Sequence, residues 1–461
     1  MAKVISRRSL LKRTAALAGA AVGSRVFGPP LIWSGEAPNS KLGCAVIGCG
    51  GRGMTSHLPE AVKERLVALV DVDEKQFAKC TKFIESKFKA LKLPSFKTYT
   101  DYRKMFDECG KDIDAVFVAT PNHHHALPAM IAMKLGKGAY VEKPMCHTIQ
   151  EARAMAKMAE ETKAPTQMGN QGHCAEGYRR FCEYIWAGAI GNVTEVHCWS
   201  DRANGGTGPR PPKLPVPEGM HWDEWIGPAP YRDFHKDLHP HEWHNWYDFG
   251  NGSLGNMACH VMDGAVWALK LKWPTSITLE SVLGGTDEYY PIGDRICYDF
   301  PARGDMPPVK VYWWDGRRPN KGGQNRPPIA EELEKKYERK FGGNGTIYIG
   351  DKGVMHTDCY GGGPRILPEE KHKAFPAPPQ TLPRNKGSFN DFLDACRKGK
   401  PTTASKFEVA TALTEIVLLG NLAQKAGLDK KVEWDGPNMK CTNIPEVNKL
   451  VEIPSRKGWT I

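Results

Sequence analysis

Gly48, Gly50 and Gly53 stand in the spacing Gly-x-Gly-x-x-Gly, directly after the apolar run 42–47. In a strand-to-helix turn, the first glycine permits the sharp bend, the second lets the backbone approach a pyrophosphate, and the third lets the helix pack closely. The N-terminus of that helix then faces the phosphates. Together with Gly51 and with Arg52, which can help to hold a phosphate, these residues are predicted to bind a dinucleotide.

An acidic residue after a second predicted strand strengthens this interpretation. Asp71 follows the apolar run 66–70, at the position where a carboxylate accepts hydrogen bonds from a ribose 2′-hydroxyl. Because an anion there repels a 2′-phosphate, the sequence favours NAD, with NADP left open. Asp73 is a competing candidate, and the structural alternative is that Asp71 only begins a turn.

The loop 120–125, which follows the apolar strand 115–119, reads Thr-Pro-Asn-His-His-His. It lies at the carboxyl edge of the predicted sheet, where ligands bind in such folds. Successive loop residues point in different directions, so three adjacent histidines do not readily converge on one metal ion. We predict no metal, and expect either cofactor contact by Thr120, Pro121, Asn122 and His125 or helix capping.

These candidates require a sheet that brings strand ends together. Up to residue 169, apolar runs alternate with helix-like segments, which is the pattern of a doubly wound α/β domain. The predicted helices are 74–89 and one from Tyr102, and the remaining predicted strands lie near Phe96 and at 139–141 and 165–169. We therefore predict a Rossmann domain over residues 41–165.

Two further segments complete a family resemblance. Glu142-Lys143-Pro144 follows the strand 139–141, and Trp-Asp-x-Trp-x-Gly-Pro-Ala-Pro occupies 222–230. With the glycine turn and Thr-Pro-Asn-x-x-His at 120–125, the chain resembles the glucose-fructose oxidoreductase/inositol dehydrogenase/rhizopine-catabolism (Gfo/Idh/MocA) family along nearly all of its length after the first 40 residues.

The resemblance implies a second, α+β domain with a large, mostly antiparallel open sheet that covers the nicotinamide and helps dimerisation. Residues 166–461 agree with this expectation, because strand-like runs occur at 193–199, 277–283, 309–314 and 346–349. Residues 204–232 are rich in glycine and proline and are predicted to be a long loop near the site. The last helices are candidates to pack back on the Rossmann domain.

The resemblance also assigns the reacting groups. Removing a hydroxyl proton as hydride departs needs a group that titrates near neutral pH, and histidine is close to that range. By resemblance His260 accepts this proton, while Lys143 holds the reacting oxygen and Glu142 contacts the cofactor. The family pattern is Asp-x-x-x-His, and here Asn256 replaces the acid. Either the base is then weaker, or another acid such as Asp263 supplies the missing negative charge.

Other residues are predicted to face the substrate. Gln171 and His173 follow the strand 165–169, and Asn256 and His260 share a helical face at i, i+4. The segment 222–249 is dense in aromatic and histidine residues, among them Trp243, and flat rings beside polar groups suit sugar faces. The alternative is that these rings only pack the long loop.

The first 40 residues are predicted to be a signal segment and linker. They contain Arg7-Arg8 followed by Leu10-Leu11-Lys12 and a short Ala/Gly-rich run, which resembles a twin-arginine signal and is too short to span a membrane. That route carries folded, cofactor-loaded proteins, so we expect a periplasmic location and a contact with the twin-arginine export machinery. The alternative is a basic N-terminus that arose by chance.

Composition narrows the possible partners. Residues 1–41 hold seven Lys and Arg but one Glu, so more than half of the net charge of +11 lies there and nucleic acid is not a predicted partner. The thirteen cysteines form no Cys-x-x-Cys pair, so neither a zinc site nor a disulfide framework is predicted.

The combined expectation is an exported oxidoreductase, a homodimer or homotetramer. It would transfer hydride between a secondary hydroxyl of a sugar or polyol and a tightly bound nicotinamide cofactor. Two alternatives stay open: an NAD-dependent glycosidase that oxidises its sugar transiently, and a non-catalytic sugar-binding protein.

Overall fold

The computed structural model describes residues 41–91, 95–319 and 322–460. The predicted signal segment and its paired arginines lie outside these residues. Within the described part of the chain, no helix is both long and apolar enough to cross a lipid bilayer.

The first sheet has six parallel strands in the order β3-β2-β1-β4-β5-β6. Its strands are β1 (Gly43–Ile47), β2 (Arg65–Val70), β3 (Lys97–Tyr99), β4 (Ala115–Val118), β5 (Gly138–Val141) and β6 (Thr166–Met168). This is the strand order of dinucleotide-binding Rossmann folds. Ile47 pairs with Val70 on one side and Val118 on the other, so the carboxyl ends of β1, β2 and β4 meet at one edge.

Helices cover both faces of this sheet and continue through the second domain. They are α1 (Leu58–Lys63), α2 (Lys75–Lys87), α3 (Tyr102–Cys109), α4 (Ala126–Lys134), α5 (Ile149–Thr162), α6 (Glu176–Trp186), α7 (Trp222–Ile226), α8 (Cys259–Val261), α9 (Asp263–Ala268), α10 (Pro328–Lys336), α11 (Glu369–Ala374), α12 (Ser388–Lys398) and α13 (Phe407–Ala426). Two π-helical turns, Gly53–His57 and Leu254–Ala258, precede α1 and α8.

The two faces of β1 enter two separate cores, because successive side chains of a strand point in opposite directions. Cys44 and Val46 pack with α1, α2 and α12, whereas Ala45 and Ile47 pack with α3, α4 and α5. Burial on both faces explains why β1 is apolar at every position. The late helix α12 therefore completes one face of the first sheet, and α13 packs against α5.

The second sheet has nine strands in the order β13-β12-β11-β7-β10-β9-β8-β14-β15. They are β7 (Val193–Ser200), β8 (Ser276–Gly284), β9 (Pro291–Phe300), β10 (Val309–Gly316), β11 (Gly345–Gly350), β12 (Gly353–Asp358), β13 (Arg365–Leu367), β14 (Lys431–Asp435) and β15 (Lys440–Cys441). Only β7 and β10 pair in parallel; the other pairs are antiparallel. The predicted fold class, a Rossmann domain followed by an α+β domain with a large, mostly antiparallel sheet, is confirmed.

Candidate dinucleotide cavity and reaction site

The glycine turn closes so tightly that side chains would not fit inside it. Gly48 has a φ of +79°, and a Cβ there would lie 2.7 Å from the carbonyl oxygen of Ala119. A Cβ on Gly53 would lie 1.9 Å from the carbonyl oxygen of Gly48. By contrast, Gly51 opens onto free space, since a Cβ there would meet no described atom within 4 Å. The turn is thus built by backbone contacts that only glycine permits.

Asp71 lies at the end of β2 and is tied to this turn. Its carboxylate accepts hydrogen bonds from the backbone N–H of Gly50 (3.0 Å) and of Asp73 (3.0 Å). Burial raises the pKa of Asp71 to about 6, although these two N–H groups act in the opposite direction. Asp73 instead accepts a hydrogen bond from the side chain of Gln76, at 2.7 Å.

A cavity of about 460 Å³ runs along the turn and past Asp71, a volume typical of small-molecule sites. Its floor is formed by the ends of β1, β2 and β4, and its cover by residues 224–244 and Trp459. The sequence-predicted residues that line it are Gly48, Gly50, Gly51, Arg52, Asp71, Thr120, Pro121 and Trp243. Lys79, Tyr102 and Trp459 also line it, and none of these three was predicted.

The histidines of the loop 120–125 tie this loop to its neighbours. His123 and His124 each place Nε2 at hydrogen-bond distance, 2.9 and 3.0 Å, from the carbonyl oxygen of Trp225. His125 lies between the carbonyl oxygens of Thr120 and Pro144, at 2.8 and 2.7 Å. Burial lowers the pKa of His125 to about 4. His123 and His124 therefore tie the two domains together, and His125 positions the loop.

The residues present fit an NAD molecule. Gly50 and Gly51 offer backbone without side chains along the cavity, and Asp71 offers a carboxylate. The hydroxyl of Thr120 and the amide oxygen of Asn122 are buried without a partner among the described residues, which leaves hydrogen-bonding capacity for a ligand. When bound, the nicotinamide ring would supply hydride-transfer chemistry.

Glu142 was predicted to contact the cofactor, and the structure places it in an ion-pair cluster. Its Oε1 accepts hydrogen bonds from Arg52 Nε (3.1 Å) and His57 Nε2 (3.0 Å). Burial disfavours its charge, yet His57, Arg52 and Lys143 outweigh this effect and hold the pKa of Glu142 well below its usual range. A charged Glu142 therefore anchors Arg52, which lies within the glycine turn, beside Lys143.

Lys143 reaches from the Rossmann domain to the second domain. Its Nζ donates hydrogen bonds to the backbone oxygen (2.7 Å) and the side-chain oxygen (3.1 Å) of Asn256. The Asn256 amide in turn donates to Asn204 Oδ1 at 2.7 Å. Both ends of the Asn256 side chain are therefore engaged by protein, and it orients Lys143. Burial lowers the pKa of Lys143, partly offset by the charge of Glu142.

His260 lies one turn further along, at the junction between the π-helical turn and α8. Burial, followed by the charge of Lys143, lowers the pKa of His260 to about 3, so the ring is neutral at neutral pH but is a weaker base than the near-neutral group that the reaction calls for. Nδ1 is buried without a partner among the described residues. Asn256, which accepts the hydrogen bonds of Lys143, precedes His260 by four residues, so Asn256 links the two predicted catalytic groups across one helical turn.

The expectation that Asp263 supplies the charge missing at position 256 is wrong. One oxygen of Asp263 accepts a hydrogen bond from His173 Nδ1 (2.8 Å) and the other from the amide of Asn170 (3.1 Å). Asp263 is thus occupied by a different histidine. His173, predicted to face the substrate, is buried and also stacks on Trp267 with 3.9 Å between ring centroids.

Gln171 and Tyr360 are two further candidates to contact a ligand. Nε2 of Gln171 is buried without a partner among the described residues, and its substrate-facing role stays a prediction. Tyr360 was not predicted; its ring lies 4.7 Å from the ring of His260, and the residue is 49% exposed. The buried hydroxyl of Tyr178 contacts the backbone oxygens of both His260 and Cys359, so it fixes the loop of Tyr360 against α8.

The aromatic segment 222–249 mostly packs on itself. Trp222 stacks on Trp225 with 4.5 Å between centroids, and both belong to a separate buried cluster that includes Trp246 and Phe249. Trp243, predicted to contact substrate, borders the same cavity as the glycine turn and Asp71. The structure therefore places Trp243 on the cofactor side. Among the described residues, no group of three or more His, Cys, Asp or Glu is arranged to hold a metal ion.

Comparison with known families agrees with this geometry. Residues 42–170 match the Gfo/Idh/MocA profile described as an oxidoreductase family with an NAD-binding Rossmann fold. Residues 193–286 match the family's C-terminal alpha/beta domain. Both domains of the chain therefore contain a segment that is similar to the Gfo/Idh/MocA family of oxidoreductases. The first domain matches the NAD-binding domain of this family, which confirms the predicted cofactor.

Curated relatives match over part of their length. A glycosyl hydrolase family 109 protein of Solibacter usitatus is 31% identical over 199 residues, which is 41% of this chain and 44% of that protein. Levoglucosan dehydrogenase of Pseudarthrobacter phenanthrenivorans is 27% identical over 201 residues, which is 41% and 42% of the two chains. The match therefore spans less than half the length of these relatives.

Solved structures share the fold along most of the chain. Aldose-aldose oxidoreductase from Caulobacter crescentus, complexed with glycerol, has a TM-score of 0.54 at 17% identity, covering 86% of this chain and 100% of that chain. The WlbA dehydrogenase of Bordetella pertussis, in complex with NADH and UDP-GlcNAcA, has a TM-score of 0.54 at 14% identity, with 86% and 99% covered.

Proposed function

We propose that this protein transfers hydride between a secondary hydroxyl of a sugar or polyol and NAD held in the cavity. The observation that carries the proposal is the contact of Lys143, from the NAD-binding domain, with Asn256 of the second domain, which lies one helical turn before His260. Glu142, which precedes Lys143 in the chain, accepts a hydrogen bond from Arg52 of the glycine turn. Lys143 therefore lies beside this turn.

Each side chain has a defined task in this proposal. Lys143 donates two of its three N–H bonds to Asn256, which leaves one for the reacting oxygen and its developing negative charge. His260 is neutral, because burial lowers its pKa, and accepts the proton of the hydroxyl as a weak general base, so the proposal depends on Lys143 to make that hydroxyl more acidic. In the reverse direction the protonated ring returns that proton.

The groups around Lys143 and His260 favour a polyhydroxylated substrate. The unpartnered amide of Gln171 and Nδ1 of His260 are buried polar atoms that need partners beyond the described residues, and Tyr360 adds an exposed ring beside them. Hydroxyl groups satisfy the polar atoms, while the C–H face of a sugar ring packs on an aromatic ring. Similarity to levoglucosan dehydrogenase supports the same substrate class.

The proposed setting is the periplasm, reached by the twin-arginine route. This rests on the paired arginines at positions 7 and 8 and on the need to bind NAD before export. Because free NAD is not replenished outside the cytoplasm, oxidation of one substrate would then be balanced by reduction of another on the same tightly held cofactor. Replacing both arginines with lysine should retain the protein in the cytoplasm; continued periplasmic accumulation would refute the route.

A substrate screen on the purified protein tests the proposed chemistry. Bound nicotinamide is first released and identified, and sugars and polyols are then supplied in pairs. We expect formation of a carbonyl product from one member and reduction of the other, with no change in total NAD. Absence of any redox product over a broad panel of sugars, from protein that carries NAD, would refute the proposal.

A second candidate is an NAD-dependent glycosidase, favoured by the similarity to glycosyl hydrolase family 109 proteins. In that reaction the sugar is oxidised transiently, the aglycone is eliminated and the product is reduced again. Nitrophenyl glycosides distinguish the two, because aglycone release without net redox change supports the glycosidase. Ligand binding without either product would indicate a non-catalytic sugar-binding protein.

The proposed assembly is a homodimer or homotetramer, as the family resemblance implies. Light scattering of the purified protein gives its mass in solution. A single monomeric species across the micromolar range would refute this assembly.

A further inference from the structure

A short segment near the end of the described chain, residues 454–460, contributes Trp459 to the lining of the candidate NAD cavity. We call it the latch. It has no regular secondary structure, yet Trp459 within it is only 4% exposed. Trp459 lines the cavity that also holds Asp71 and the glycine turn. Neither the sequence motifs nor the family match at residues 42–170 and 193–286 include this segment.

One side of the latch is bound to the second domain through Arg456. Its Nε donates to the carbonyl oxygen of Gly227 (2.9 Å), and its Nη2 donates to the carbonyl oxygen of Asp223 (2.8 Å). The guanidinium also pairs with the Asp223 carboxylate, and the backbone N–H donates to Pro228. These contacts fasten the latch to α7, where the cover of the cavity begins.

The other side of the latch is bound to the Rossmann domain through Arg103. Its Nη1 donates to the carbonyl oxygen of Gly458 (2.8 Å), and its guanidinium carbon lies 3.7 Å from the ring centroid of Trp459, which is a cation–π contact. Asp101, at the N-terminus of α3, orients Arg103 through its carboxylate. The latch therefore bridges the two walls of the cavity.

The ring of Trp459 is held in place rather than free to turn away. Its centroid lies 5.5 Å from that of His124 and 6.1 Å from that of Tyr102. These neighbours belong to the segments that follow β3 and β4, on the side of the sheet where Asp71 marks the adenosine half of a bound dinucleotide. Arg103 covers one face of the indole and Trp459 is only 4% exposed, so an adenine ring would contact the part of the indole that lines the cavity.

We propose that residues 454–460 retain the adenosine half of NAD, with Trp459 as a contact surface for adenine and Arg456 as the tie that keeps the segment closed. An aromatic contact of this kind with adenine changes affinity by about tenfold. Release of the dinucleotide then requires the ties to α7 and α3 to break. The inference rests on NAD binding in the cavity and does not depend on which substrate is oxidised.

The test measures dissociation of NADH from the full-length protein, followed by the change in NADH fluorescence after a large excess of NAD is added. We expect Trp459→Ala and Arg456→Ala each to raise the dissociation rate about tenfold or more. Lys449→Ala removes an exposed cation that lies outside the latch and should leave the rate unchanged. Wild-type release rates in both Trp459→Ala and Arg456→Ala would overturn the proposal.

AMP serves as a second probe, since it contains only the adenosine half. Trp459→Ala should weaken AMP binding by about the same factor as NADH binding, and Trp459→Phe should retain most of it. Unchanged AMP affinity in Trp459→Ala would overturn the adenine contact.

If Trp459→Ala does not fold, Arg456→Gln is measured by the same two methods, and wild-type values for it refute the latch. If the wild-type protein binds NADH and AMP normally but turns over no sugar, the proposed function is refuted, whereas the proposal for residues 454–460 is not.

Discussion

The two ends of this site are built in different ways. At the glycine turn, the groups that would contact the dinucleotide are backbone atoms and one carboxylate, all from residues 48–71 of a continuous strand-helix-strand unit. At the reaction end, Lys143, Asn256, His260 and Tyr360 come from segments that are distant in the chain. The first end is therefore fixed by local chain geometry, whereas the second depends on how two domains pack.

The two ends also differ in how their buried charged side chains are compensated. Burial raises the pKa of Asp71 and lowers that of Lys143, so each group is moved towards neutrality. Asp71 receives two backbone N–H groups in compensation. Lys143 donates to two oxygens of Asn256, while the nearby carboxylate of Glu142 is bonded to Arg52 and His57. Among the described residues, the reaction end thus holds a cation without a directly bonded anion.

The largest expected effect comes from removing the side chains at which the two domains meet. Lys143→Ala and His260→Ala should each lower turnover by about 10³-fold or more, because oxygen polarisation and general-base catalysis are lost. Bound NAD should remain, since the glycine turn and Asp71 are unchanged. Steady-state turnover and the NAD content of the purified variants are the measurements.

The control for this pair is Lys134→Ala, which removes an exposed lysine of α4. It should retain full turnover. If Lys143→Ala and His260→Ala also keep nearly full activity, the assignment of the reaction end is refuted.

The next largest effect should come from the local end. In Gly53→Ala, the added methyl group would lie 1.9 Å from the carbonyl oxygen of Gly48, so the turn must open at a cost of about 2–3 kcal/mol. We expect NAD affinity to fall about 100-fold, measured by calorimetry. Gly51→Ala is the matched control: it meets no described neighbour but adopts a φ of +44°, so only a modest effect of about 1 kcal/mol is expected. Equal affinities of the two variants would contradict the close packing of the turn.

This contrast also explains what the sequence can predict. The strands of the first sheet, the glycine turn and Asp71 follow from local periodicity and spacing, and the observed strand ends differ from the predicted ones by a residue or two. In the second domain, the strands β7, β8, β10 and β11 were predicted because they are apolar or alternating. The strand β9 (Pro291–Phe300) was missed, because its Gly293, Asp294 and Asp299 interrupt the alternation.

The reaction end was predicted less completely, because partners there are set by packing. Asp263 binds His173 and Asn170, so the expectation that it compensates for Asn256 beside His260 was wrong. Nothing in the sequence indicates this pairing. Tyr360 lies in a loop between β12 and β13, and Trp459 lies in an irregular segment, so neither belongs to a periodic pattern. The one available signal for Tyr360 is the run of three glycines that follows it, which is typical of a tight loop.

A smaller effect tests the missing anion at the reaction end. Asn256→Asp should place a carboxylate at the present 3.1 Å contact with Lys143. An adjacent negative charge favours the charged forms of lysine and histidine, so it raises the pKa of both Lys143 and His260. Both limbs of the pH–rate profile should then move to higher pH by about one unit. Asn256→Ala, which removes the contact without adding charge, should show no such upward shift, and an unchanged profile in Asn256→Asp would contradict the electrostatic role.

The smallest effect concerns the pH dependence of NAD affinity at the other end. The pKa of Asp71 in the free protein is about 6, raised mainly by burial. Because its folded-state pKa lies above the unfolded value, folding of the free protein is favoured as pH falls through 6 towards 4. NAD binding acts in the opposite direction, since ribose hydroxyls donate to the ionised carboxylate and the bound state releases the proton. Between about pH 7 and pH 5 the dissociation constant for NAD should therefore rise about tenfold, as measured by calorimetry.

Asp71→Asn should bind NAD more weakly at neutral pH and lose this pH dependence, whereas Asp73→Asn should keep it. A pH dependence that persists in Asp71→Asn would assign the titration to another group lining the cavity, such as His239, and would remove Asp71 from the role of ribose ligand.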